Sequence, residues 1–240
     1  MTMSYPEHSP AADCAALRDA TARLLDSVSR LDDAEITAPS RLPGWTRGHV
    51  LAHLARNSDA LLNVLAGKPM YAAAEARDAD IEAGAPRPAV DQSEDVAVTA
   101  LRLDGAFEAQ PEGESGWQRV VELRNGVTDL VANIPWRRWI EVELHHVDLG
   151  VGYRLGDVPA EFVDREIANM AERYTGHPDL TARVELRTED GRSWRTGGAA
   201  TDDADVVVTG PPAALMGWIT GRADGSGLSA SAALPVLPTF

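Results

Sequence analysis

Cysteine and lysine are nearly absent: Cys14 and Lys68 are the sole representatives of their kinds in 240 residues. One thiol excludes an internal disulfide and any CxxC metal or redox motif. Cys14 lies near the start of an amphipathic segment, where it is expected to pack as a small hydrophobe rather than serve as a nucleophile. With one lysine among 22 basic residues, nearly all positive charge is guanidinium. Abundant Ala, Gly, Pro and Asp suggest a GC-rich genome, which bears on source and not on function. Long apolar runs are missing too, and the polar N-terminus up to Arg18 has no apolar signal-peptide core, so a cytoplasmic location with no membrane partner is expected. Positive charge is itself scarce: the formal net charge is −15 and the pI is near 4.7. A nucleic acid or an anionic membrane would be repelled by such a chain, so any anionic ligand must be held by local charge. No heptad seam or interface patch is visible, and a monomer is expected.

What is present is ordinary for a globular chain, at 44% hydrophobic and 25% charged residues. Leu17, Thr21, Leu24, Leu25 and Val28 form one stripe of a first helix over Ala11 to Leu31. Pro39 and the Leu42-Pro43-Gly44-Trp45 turn precede a second helix from Arg47 to Ala66, with Thr46 as its N-cap and Gly67 as its stop. A short helical piece over Ala72 to Ile81 and a third long helix over Ser93 to Ala109 follow. The fourth helix has two candidates, Trp117 to Val131 and Trp136 to Leu149, and the second is ended by Gly150 and Gly152. Beyond Gly156 the pattern changes. A helix over Pro159 to Tyr174 leads to short β-branched or alternating runs at Ala182 to Thr188, Ser193 to Thr196 and Asp205 to Thr209, which read as strands. Glu189 to Arg192 is a hairpin turn, and Pro211 to Thr220 reads as a last helix. The C-terminal third is therefore a small α+β domain.

The chemistry-bearing residues fall on two of these helices. In the stretch Arg138 to Leu149, Glu141 and His145 stand four apart, so one helical turn presents a carboxylate and an imidazole together. His53 lies about two turns into the second helix. Two imidazoles and a carboxylate on facing helices can hold a divalent ion and leave a position open for water or a thiolate, as catalytic zinc requires. Other arrangements remain open on spacing alone. Glu141 and His145 can be a surface hydrogen-bonded pair, His49 and His53 are also four apart, and His146 can replace His145 in a rotated helix. His145 and His146, being consecutive, point about 100° apart and do not both reach one ion. In the C-terminal domain Arg222 follows a helix end at Gly221, and judged alone it reads as a C-cap residue interacting with the helix dipole.

Taken together, Leu42-Pro43-Gly44-Trp45-Thr46-Arg47-Gly48-His49 through His53, Glu141 through Leu149, and Gly221-Arg222 resemble the mycothiol-dependent maleylpyruvate isomerase family of actinobacteria. The resemblance spans most of the chain and implies an α+β protein: a DinB-like four-helix bundle over residues 1–155 that binds metal, then a small α+β domain over 156–240. It also implies zinc (Zn2+) held by His53, Glu141 and His145, a catalytic role for Arg222, and mycothiol as thiol cosubstrate. His49 and His146 then support the ligands or pack.

A thiol of ordinary pKa near 8.5 is deprotonated on a dication, so a protein with such a site needs no catalytic cysteine of its own. The implied reaction is addition of the thiol sulfur to the cis double bond of maleylpyruvate, rotation, and elimination to fumarylpyruvate, with Arg222 holding a carboxylate and stabilising enolate charge. The partners expected are a small thiol and a small anionic or electrophilic substrate. Three alternatives stand beside it: a mycothiol S-transferase acting on another electrophile, a zinc hydrolase with Glu143 or Asp148 as base, and a non-catalytic metal-binding protein.

Overall fold

A computed structural model describes residues 9–73, 75–113, 116–198 and 203–238. The chain divides into two compact units, Met1–Gly152 and Tyr153–Phe240. The division falls at Gly152, and Gly150 and Gly152 take positive φ (67° and 102°) where the chain leaves its last bundle helix.

The first unit is built on α1 (Pro10–Val28), α2 (Asp33–Thr37), α3 (Arg47–Leu65), α4 (Ala76–Gly84), α5 (Ala89–Glu108), β1 (Val120–Glu122), β2 (Thr128–Leu130) and α6 (Ile134–Leu149). The four long helices close a ring in which α1 packs on α5 and α6, and α3 packs on the same two. Leu24, Leu51, Leu54, Leu103, Phe107 and Trp139 are fully buried inside it. Each such side chain removed from water contributes ~1.5–3 kcal/mol. The buried face of α1 takes Leu17, Leu24 and Val28 of the expected stripe together with Cys14 and Ala20, while Thr21 and Leu25 lie half-buried at its edge.

α3 starts where its cap signal lies. Thr46 takes extended backbone and accepts from the His49 amide, while the His49 ring bonds back to the Thr46 amide, a capping box with histidine in the place of glutamate. Gly48 follows from packing: a Cβ there would lie 2.1 Å from the Ala85 carbonyl oxygen and 2.8 Å from the Gln92 side chain, so only glycine lets the first turn of α3 approach the end of α4 and the start of α5.

Four sequence expectations shift. Trp117 to Val131 is not a helix but the β1–β2 hairpin, paired antiparallel from Val120↔Leu130 to Glu122↔Thr128. The decisive local chemistry is Asn125-Gly126, both at positive φ (60° and 73°), flanked by the β-branched residues Val120, Val121, Val127 and Thr128. α5 begins at Ala89, right after Pro88, and not at Ser93. The short piece expected over Ala72 to Ile81 is α4, beginning at Ala76; residue 74 lies outside the described residues. α2 went unanticipated, a single turn fixed by the Asp32–Glu35 capping box.

The second unit contains α7 (Ala160–Tyr174), β3 (Arg183–Arg187), β4 (Ser193–Gly197), β5 (Val206–Thr209), α8 (Pro212–Ile219) and β6 (Ser229–Ala230). The sheet order is β4-β3-β5-β6, with β3 antiparallel to β4 and parallel to β5. Inward residues Val184, Leu186, Val206 and Val208 are buried, as are Phe162, Ile167 and Met170 of α7 and Leu215, Met216 and Ile219 of α8. The α+β class is thus realised, with a mainly helical first unit carrying one hairpin and a second unit combining two helices with a mixed four-stranded sheet.

Candidate metal centre

The ring of helices brings His53 of α3 to Glu141 and His145 of α6. His53 Nε2 lies 2.9 Å and His145 Nε2 3.2 Å from the same Glu141 oxygen, Oε2. One donor atom from each residue lies within 4.8 Å of the other two. The two imidazoles meet edge to face at 4.7 Å, and Trp45, from the turn before α3, packs on His53 with its ring 5.7 Å away.

The neighbouring histidines and carboxylates are sorted by what they touch. His49 Nδ1 is 2.7 Å from Thr46 Oγ1 in the cap of α3. His146, buried on the opposite side of α6, pairs with Ser27 Oγ of α1 at 2.9 Å. Neither belongs to the His53–Glu141–His145 cluster. Glu143, only 1% exposed, accepts from Arg23 of α1 at 2.6 Å and from Trp139 Nε1 at 3.1 Å; it faces the interior rather than solvent. Asp148 is buried and accepts from His145 Nδ1 at 2.9 Å, so it fixes that imidazole and leaves Nε2 directed at Glu141.

Electrostatics follow from these contacts. Burial alone would raise the Glu141 carboxyl, but hydrogen bonds from His145 and His53 outweigh it and hold the pKa well below the ordinary range. Burial lowers His53, with the Glu141 contact opposing it only in part. Burial also lowers His145, yet its bonds to Asp148 and Glu141 prevail and raise it. Below the cluster, Arg138 is 2% exposed and donates to Asn57 Oδ1 at 2.7 Å. Desolvation pushes its pKa down to about 10.

The donor set fits a divalent metal. It offers two imidazole nitrogens and one carboxylate, the latter anionic, and one imidazole has its far nitrogen tied to a buried carboxylate, as metal-ligating histidines commonly do. Arg77 Nη2 stands 3.4 Å from His53 Nδ1, and a guanidinium cannot accept, so in this arrangement the His53 proton sits on Nε2 facing Glu141. An ion held by the cluster would take the place of that proton.

Arg222, the remaining expected site residue, lies in the second unit just after α8, and its Nη1 donates to the Thr220 carbonyl at 2.7 Å, a helix-end contact. Sequence reasoning missed Trp45, Tyr71 and Arg77 as neighbours of the cluster; they come from loops and from α4, and no periodicity links them to His53. The Asp148 role was legible as a carboxylate three residues after His145.

A helical bundle with this cluster on adjacent helices, followed by a small α+β unit, defines a class of two-unit proteins equipped to bind a divalent ion. Residues 17–150 match the mycothiol maleylpyruvate isomerase N-terminal domain, and residues 157–239 match the MDMPI C-terminal domain. The chain belongs to the mycothiol maleylpyruvate isomerase family, a family of enzymes. Among solved structures it is similar to the mycothiol-dependent maleylpyruvate isomerase, at 26% identity and a TM-score of 0.87 over 98% of each chain. A histidine-to-alanine mutant of that isomerase matches with the same identity, coverage and TM-score. No curated protein matches significantly in sequence. Among the described residues, no helix is long and apolar enough to cross a membrane.

Proposed function

We propose that the chain is a zinc- and mycothiol-dependent isomerase converting maleylpyruvate to fumarylpyruvate. The observation that carries this reading is the convergence of His53, Glu141 and His145 within a chain of this family. Zinc, when bound there, supplies a dication that deprotonates a thiol at neutral pH. His53, Glu141 and His145 would hold the ion, and Asp148, accepting from His145 Nδ1, keeps the His145 Nε2 lone pair available for it. The cis double bond of maleylpyruvate accepts the thiolate sulfur at one carbon, and its electron pair moves into the conjugated carbonyl as an enolate. Rotation about the resulting single bond follows. The enolate then re-forms the double bond as trans and expels the sulfur, so no proton or electron is gained or lost overall. Arg222 is assigned the task of binding a substrate carboxylate and stabilising the enolate.

Cys14 supports the need for an external thiol, because it is 4% exposed and burial pushes its pKa up to about 11. The test is an assay of maleylpyruvate and a panel of electrophiles with and without mycothiol. Thiol-dependent isomerisation is the expected result. Stable conjugates without isomerisation would assign the chain as a transferase, and thiol-independent hydrolysis would move it to the hydrolases.

A further inference from the structure

Beside the cluster, the first unit has an open pocket of about 260 Å³, with His53 and Glu141 in its wall and three guanidinium groups, Arg77, Arg124 and Arg137, around it. We propose that these three arginines form a carboxylate-binding subsite that selects small anionic substrates at the cluster; the inference rests on the isomerase reading for which reaction the anion undergoes. In a chain with 37 acidic and 22 basic residues, this wall gathers three cations against the single carboxylate of Glu141. Asp78 and Asp129 pair with Arg77 and Arg137 from outside the lining, so what faces a ligand is a concentration of guanidinium donors, whose field a concave wall focuses.

Each arginine is held differently. Arg77 is anchored by Asp78, 2.6 Å from its Nη1, and by its approach to His53. Arg137 gives its Nε to Asp129, which leaves its two terminal nitrogens for another acceptor. Arg124 sits at the hairpin tip beside Asn125, and no carboxylate of the described residues lies within ion-pair distance of it. Tyr71 completes the wall; burial raises its phenol pKa, so at neutral pH it remains an O–H donor. Forked donors, a neutral phenol and apolar Leu61, Met70 and Leu123 suit a short carboxylic acid with a carbon skeleton. The size suits a small molecule and not a chain segment. The substrates expected are therefore unsaturated acids whose carboxylate lies close to the electrophilic carbon, in preference to neutral electrophiles of the same shape.

The experiment titrates zinc-loaded protein with maleate by calorimetry in the absence of any thiol, so that no turnover occurs. Wild type is expected to bind maleate with an affinity that falls as salt is raised. The neutral diamide of maleic acid should bind at least about tenfold more weakly, and Arg124→Gln and Arg137→Gln should each weaken maleate by about tenfold with zinc content unchanged. Both replaced side chains are largely on the surface, so the fold is retained; circular dichroism verifies this. Undetectable binding to wild type at millimolar maleate, equal affinity for acid and diamide, or unchanged affinity in both variants would overturn the subsite. Maleate binding of the expected pattern in a protein that shows no thiol-dependent isomerisation would leave the subsite standing and remove the isomerase reading alone.

Discussion

Asp148 grips His145: the buried carboxylate accepts the Nδ1 proton at 2.9 Å and turns the opposite ring nitrogen to within 3.2 Å of Glu141. Both residues lie on α6, one turn apart, so the orientation is built into one rigid element. Asp148→Asn keeps the shape but weakens the hold on the ring. Zinc affinity, measured by competition with a chelator, is expected to fall about 10- to 100-fold with the helical content unchanged. Unchanged affinity would detach Asp148 from the metal centre.

Single alanine variants separate ligands from neighbours. His53→Ala, Glu141→Ala and His145→Ala are expected to lose zinc, whereas His49→Ala and His146→Ala retain it, because the latter pair bond to Thr46 and Ser27 instead. His49→Ala keeps the Thr46 cap and loses only the return bond from the His49 ring to the Thr46 amide, at a cost of about 1 kcal/mol. Elemental analysis of purified variants, with urea unfolding alongside, reads both effects; full zinc in His145→Ala contradicts the assignment.

Cys14 is packed, not reactive. With its thiol pushed up to about 11, alkylation of the native protein near pH 8 is expected to be slow and to become fast on unfolding. Cys14→Ser should retain thiol-dependent turnover. Rapid labelling with parallel loss of activity would give Cys14 a role that its burial does not suggest.

Glu166, on α7, is 1% exposed, and desolvation raises its pKa to about 7, with Asn169 and Arg222 opposing. A carboxyl with a raised folded pKa binds its proton more tightly in the native state. Its destabilising effect is absent below the unfolded pKa, near 4.5, and is complete above about 7. Relative to wild type, Glu166→Gln should therefore gain stability as pH rises from 4.5 to 7, by up to ~3 kcal/mol. Urea midpoints at pH 5 and pH 8 measure this; a difference between the two proteins that does not change with pH refutes it.

Arg222→Lys keeps the charge and loses the planar fork. Zinc content and fold should persist while turnover of a carboxylate substrate falls about tenfold or more. Wild-type turnover would remove Arg222 from the chemistry and leave it the helix-end role that its contact to Thr220 describes.

The sequence by itself determined the helices whose signals are local. Thr46 caps α3, Gly150 ends α6, and the apolar stripe of α1 forms at the spacing its residues dictate. It also placed Glu141 and His145 on one turn, since i and i+4 share a face whatever the fold. Where two periods competed, as in Trp117 to Val131, the helical candidate failed because the Asn125-Gly126 turn and β-branched neighbours favour a hairpin. Spacing could not choose between His53 and His49, or between His145 and His146. Which of them come together depends on which face of α3 meets α6 and which face of α6 meets α1, and packing across the bundle brings His53 and His145, not His49 and His146, to Glu141. Only the tertiary structure set Arg77 of α4, Arg124 of the hairpin and Arg137 of α6 around one pocket, because residues on separate elements share no sequence period and meet only when the helices bury their apolar faces together.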